Sequence, residues 1–230
     1  MGRGTATMPS GQPVVHGYRH SVYSWIARLT LSEKGVAYGW HEVDPFAADM
    51  PAEHRTLHPF GRVPALVHGG FTVYETVAIA RYVDEAFDGP PLQPATPRRR
   101  ARMSQAIAVI DSYGYRPLVR QVFAGAVFAP AAGKAEDRAE VAAGLAQAAP
   151  VLAALDALVA ADGPFLAGDA LSLADLHVAP MIGYFAMAPQ GAEMLAGRSA
   201  LSAWWTRMRG RDALAATWPP LPGAERSRPT

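Results

Sequence analysis

Apolar positions in the first ninety residues alternate between short runs and helical spacing. Residues 13–18 form a short apolar run between turn formers and read as a buried strand. From Val22 to Glu33 the apolar residues Val22, Trp25, Ile26 and Leu29 recur on one helical face, and Gly35 supplies a helix stop. Residues 36–43 read as a second strand. The polar, proline-containing stretch 44–58 leaves room for one short irregular helix. Two β-rich segments within 59–74 flank Gly69-Gly70, which is a hairpin signature. Helical spacing returns over 75–87 with Ile79, Tyr82, Val83 and Ala86 on one face. The predicted order is β-α-β-α-β-β-α.

The pattern changes at 88–97, where Pro90, Pro91, Pro94 and Pro97 exclude both helix and sheet interior and mark a linker. Beyond it the chain is helix-forming, with helices expected near 98–127, 137–161, 173–188 and 198–208 and a short piece at 211–217. Gly114 and Pro117 are expected to bend the first of these, and Pro150 to kink or restart the second. The polar tail after Pro219 is expected to wrap or fray. Ser172 and Asp175 have the spacing of a capping box, a structural reading of that carboxylate rather than a catalytic one. The expected domains are 13–88 and 98–219.

Composition then narrows the chemistry. The 230 residues suffice for one large or two small domains with a sizeable core. Half are hydrophobic and 18% charged, as in a globular protein. The 21 basic and 20 acidic side chains nearly cancel, so no strong field draws nucleic acid or anionic lipid. Lys34 and Lys134 are the lysines and the other cations are arginine, a bias of a GC-rich genome more than of function. With no cysteine, disulfides, thiolate metal sites and a protein thiol nucleophile are excluded. Sulfur chemistry would need a ligand's thiol. The seven histidines are scattered without ligand spacing, so no metal is expected. The opening twelve residues lack the apolar core of a secretory signal, and no run of about 18 uninterrupted apolar residues occurs, so a cytoplasmic protein is the expectation.

Four passages, in this order and at compatible distances, resemble the cytosolic glutathione transferase family over roughly Pro13 to Pro219. They are Ser21 with Trp25 to Gly35, His58-Pro59-Phe60-Gly61-Arg62-Val63-Pro64-Ala65-Leu66, Tyr74-Glu75-Thr76 through Val83, and Phe165 through Asp175. The resemblance implies an α+β, thioredoxin-like N-terminal domain (βαβαββα), an all-α helical-bundle C-terminal domain carrying the electrophile pocket, and a homodimer. Phe60, Phe71, Tyr82 and Met103 are apolar residues available where two subunits would meet, though a monomer core would also absorb them. Glutathione is the implied co-substrate and a small hydrophobic electrophile its partner. A cytoplasmic detoxifying transferase of bacterial, serine-type (zeta-, phi- or theta-like) character is the implied activity, with a non-catalytic binding or interaction protein of the same fold as the alternative.

The resemblance also assigns residues. Val63-Pro64 stands where the family has a cis bond before a strand, leaving backbone groups of Val63 to pair with an extended peptide. Glu75 and Thr76 match an acidic-plus-hydroxyl pair at a helix start, suited to the γ-glutamyl end of glutathione. Arg62 stands where a side chain faces the tripeptide's glycyl end, and His58 replaces a structural asparagine. A free thiol has a pKa near 8.5, so a hydroxyl donor at a helix N-terminus is the economical activator. Ser21 lies at the serine-type distance from Gly35. Tyr18 and Tyr23 are the other hydroxyls in reach, and Ser21 acting only as a helix cap is the remaining option. Arg19 and His20 make the approach basic, which would help an anion or an acidic co-substrate. Tyr18, Tyr113, Tyr115 and Arg120, with Phe123, are the expected electrophile-pocket residues.

Overall fold

The computed structural model describes residues 11–48 and 50–223. The opening residues judged free of a signal and the last of the polar tail lie largely outside that range. The chain divides into two compact units between Pro90 and Pro91.

In the first unit, β1 (Val14–Gly17), β2 (Gly39–Glu42), β3 (Ala65–His68) and β4 (Phe71–Tyr74) form one sheet in the order β2-β1-β3-β4. β1 and β2 run parallel, which requires a crossover, and α1 (Val22–Glu33) provides it. β3 and β4 form the expected hairpin, with Gly69 at φ 55° and Gly70 at φ 83°, the positive pair that a two-residue turn of this twist needs. α2 (His54–Leu57) is the short helix expected in the polar stretch, and α3 (Thr76–Ala86) follows β4. The core joins Val15 and Leu66 of the sheet to Ala27 and Leu31 of α1 and Ile79 and Val83 of α3. β2 is shorter than the apolar run predicts. The Val36 N–H is taken by the Leu31 carbonyl at 2.9 Å to close the end of α1, so pairing starts only at Gly39.

The second unit is helical among its described residues. α4 (Pro97–Val109) starts with Thr96 accepting from the Arg99 N–H at 3.4 Å and runs on into a wider, π-helical stretch, Ile110–Phe128, then α5 (Ala129–Ala131). Gly114 and Pro117 were expected to bend this helix. Both lie inside one uninterrupted helical stretch, which is π-helical there. α6 (Arg138–Asp162) carries Pro150 inside a continuous helix, so the chain does not restart there. α6 is the one described helix long and apolar enough to cross a membrane, but its main contact is the π-helical stretch, as befits a core helix. α7 (Leu173–Phe185), α8 (Pro189–Ala196), α9 (Ser199–Arg209) and α10 (Asp212–Thr217) complete the unit. The expected helix over 173–188 stops earlier, and Pro189 opens α8, a helix the spacing did not reveal.

Asp175 is fully buried at the start of α7. One carboxylate oxygen accepts from the Ser172 N–H and hydroxyl, both at 2.8 Å. The other accepts from the Leu166 N–H at 2.9 Å and Trp204 Nε1–H at 2.8 Å. Burial pushes its carboxyl pKa up, and those four bonds oppose the shift. It is a structural hub, as the capping-box spacing indicates. Met103 is enclosed in the core of the second unit and so offers nothing to an outer apolar face. Phe60 and Phe71, by contrast, are exposed.

Candidate active site

Strand register brings three of the sequence passages to one end of the sheet. Gly17 pairs with Glu42, His16 with Ala65, and Ala65 with Tyr74. The next residues outward are therefore Tyr18 after β1, Val43 after β2, Pro64 before β3 and Glu75 after β4. Helices α1 and α3 start from this same edge, as is usual where a sheet of this kind binds ligands.

Ser21 caps α1. Its Oγ accepts from the Ser24 N–H at 3.3 Å, and its carbonyl accepts from Trp25 N–H at 2.9 Å. Capping uses a lone pair and leaves the hydroxyl proton to donate elsewhere. The first turn of α1 holds no acidic side chain, so nothing there neutralises the positive end of the helix dipole. Tyr18 is half-buried and its pKa is raised, chiefly by burial and then by Asp44 and Glu42. Its ring meets His20 edge-on at 5.2 Å and Phe46 at 6.2 Å. Phe46 is 71% exposed and was not singled out by its spacing, since an isolated aromatic in a polar loop carries no periodic signal.

The Val63-Pro64 bond is cis. Val63 precedes the first paired residue of β3, so its N–H and C=O stand outside the sheet ladder. The adjoining loop is anchored by a residue the sequence reading passed over. His54 Nε2 lies 2.7 Å from the Arg62 carbonyl, in a site that is 3% exposed. His58 occupies the asparagine position as a buried packing residue, its ring 4.8 Å from that of Tyr74. Burial lowers its pKa, with Glu75 opposing. Arg62 itself is exposed.

Glu75 has φ 68° and ψ 118°, a conformation that side-chain-bearing residues rarely adopt. It is the described non-glycine residue with positive φ, and such strain concentrates where a ligand is held. Its carboxylate makes no cap bond to α3. Thr76 is buried at the first turn, which contains no acid, with the Glu75 carboxylate beside it at the N-cap position.

In the second unit, Tyr113 is 68% exposed, Tyr115 half-buried and Arg120 exposed, all on the π-helical stretch. Phe123 is buried and stacks on Tyr184 with centroids 3.9 Å apart. No group of three or more acidic or histidine side chains among the described residues is arranged to hold a metal ion.

Comparison with known proteins decides the family. Residues 20–86 match the family model of the glutathione S-transferase N-terminal domain, and 116–212 that of its C-terminal domain. Glutathione S-transferase F10 of Arabidopsis thaliana is 32% identical over 185 residues, covering 79% of this chain and 85% of its own. The chain belongs to the glutathione S-transferase family. Apo glutathione S-transferase III superposes with a TM-score of 0.81 at 31% identity, over 92% of this chain and 99% of that one. A theta-class glutathione S-transferase from Xanthomonas axonopodis pv. citri, solved with glutathione bound, gives 0.72 at 29% identity, over 90% and 97%. The fold is thus the thioredoxin-like unit followed by the all-helical one, and the protein is a glutathione S-transferase enzyme using glutathione as co-substrate against electrophiles.

Proposed function

We propose that this enzyme is a serine-type glutathione transferase in which Ser21 activates the thiol. The observation that carries the reading is the meeting of Ser21, Val63-Pro64 and Glu75-Thr76 at one end of the sheet, where two helices start whose first turns contain no acid. Glutathione lies along the Val63 backbone by edge pairing. Its γ-glutamyl carboxylate takes the Thr76 end of α3, its ammonium takes Glu75, and its glycyl carboxylate takes Arg62. The thiol loses its proton to solvent. The Ser21 hydroxyl and the first-turn amides of α1 hold the resulting anion. The sulfur lone pair then forms a bond to the electrophilic carbon, and the leaving group departs with its bonding pair. We take Ser21 over Tyr18 because Ser21 is the residue that caps α1, which sets its hydroxyl at the start of the helix. We assign Tyr18, Tyr113, Tyr115 and Arg120 to electrophile recognition. The exposed Phe60 and Phe71 support a homodimer.

A hydrogen bond to a charged group contributes about 1.5–3 kcal/mol. Ser21→Ala should therefore raise the pKa of the bound thiol by about one to two units. Turnover of an aryl halide near neutral pH should fall by about ten- to a hundredfold. The thiolate absorbance of bound glutathione, titrated against pH, measures the shift directly. Ser21→Asp keeps a cap acceptor but offers the sulfur no donor, which separates helix capping from thiol activation. An alanine variant with an unchanged titration and rate would rule out Ser21.

A further inference from the structure

The loop that carries Ser21 is held by an acidic side chain from another strand. Glu42, the last residue of the edge strand β2, accepts the Arg19 backbone N–H on Oε1 at 3.0 Å. Its Oε2 accepts Arg19 Nε at 3.2 Å and Trp40 Nε1–H at 2.9 Å. Trp40 is itself fixed. Its ring packs against the core of the first unit, and a Cβ on Gly17 would come within 2.7 Å of it. The Arg28 guanidinium lies over it at 5.4 Å while donating to the Tyr38 hydroxyl at 3.2 Å. Trp40 and Glu42 stand two residues apart in β2 and so lie on one face of the strand.

Two other amides of the short turn from β1 to α1 are held as well. Tyr18 N–H bonds Ser24 Oγ at 3.2 Å, and Ser21 N–H bonds the Tyr18 carbonyl at 2.9 Å. The first comes from the helix and the second from the turn itself. Glu42 is the tie from the sheet side. We infer that Glu42, steadied by Trp40, is a positioning residue for thiol activation: it fixes the Arg19 backbone and thereby where Ser21 presents its hydroxyl. The Arg19 cation, expected to support the sulfur anion, is engaged by this carboxylate. The inference rests on the Ser21 reading above. An exposed ion pair by itself would contribute little, so the backbone bond is the part that matters.

Three variants of the full-length enzyme separate these ideas, each assayed for kcat, KM for glutathione, pH titration of the bound thiol and thermal midpoint. Glu42→Ala should lower kcat by about tenfold, because small misplacements of a reacting group are costly, and should raise the thiol pKa. KM for glutathione should stay within about twofold, because the Val63 and Thr76 contacts are untouched. Glu42→Gln, which keeps an acceptor for the Arg19 N–H, should recover most of the loss. Arg19→Ala leaves that backbone bond in place and should cost no more than about twofold. If Glu42→Ala matches the wild type while Ser21→Ala is impaired, the Glu42 inference falls and the Ser21 reading stands. Equal losses in Glu42→Ala and Arg19→Ala would also overturn it, in favour of a charge effect. A Ser21→Ala enzyme with wild-type kinetics and thiol titration would remove the reading on which it rests.

Discussion

Asp175 offers a direct test of structural against catalytic carboxylates. In Asp175→Ala three donors lose their acceptor and have no freedom to find another: the N–H groups of Leu166 and Ser172 and the Trp204 indole. The Ser172 hydroxyl, the fourth, can rotate. Each buried donor left unpaired costs about 1–3 kcal/mol, which brackets the total at about 3–9 kcal/mol. Water entering the space of a lost carboxylate relieves part of this, so a loss of about 4 kcal/mol is expected. For a chain of this size that is a drop of about 10 °C in melting temperature. Asp175→Asn keeps one oxygen for Leu166 and Trp204 but sets an amide against the Ser172 N–H, and should cost about 1–3 kcal/mol. Equilibrium urea unfolding followed by tryptophan fluorescence measures both, with the rate per folded molecule measured alongside. Near-native stability in the alanine variant, or a fall in turnover without a fall in stability, would refute the assignment of Asp175 as a hub.

Two further perturbations follow from the same geometry. His58 has a pKa lowered from 6.5 by burial, so the unfolded chain binds more protons than the folded one just below that pH. Stability should hold above about pH 6.5 and decline as the pH falls below it. His58→Asn should flatten that decline in pH-dependent melting without removing it, since the lowered pKa of His16 acts in the same direction. An unchanged profile would show that His58 does not contribute. Gly17→Ala would place a Cβ 2.7 Å from the Trp40 ring and 2.8 Å from Ser24 Oγ. It should cost about 1–3 kcal/mol in chemical denaturation and disturb the Ser21 loop, whereas a neutral substitution would show that Trp40 can move aside.

Much of the architecture is legible in neighbouring residues. Helical spacing placed α1 and α3, paired glycines placed the β3–β4 turn, and the Ser172–Asp175 interval marked a buried cap. Helix and turn formation depend on bonds spanning a few residues, so the signal lies in the local chain. The same passages carry the motifs of the proposed glutathione site, because a helix start and the residue before a strand are also local features. Pro150 misled in the other direction. A missing N–H left a restart open there, but the helix runs on through it.

What the sequence could determine by itself was therefore most of the elements, the cap at Ser172 and Asp175, and the family pattern of the site. Only the tertiary structure decided that Glu42 ties down a loop twenty-three residues away, that His54 steadies the Arg62 carbonyl, and that Phe46 stands beside Tyr18. It also gave Glu75 its positive φ. These depend on strand order and register, which bring distant residues together and leave no periodic trace along the chain.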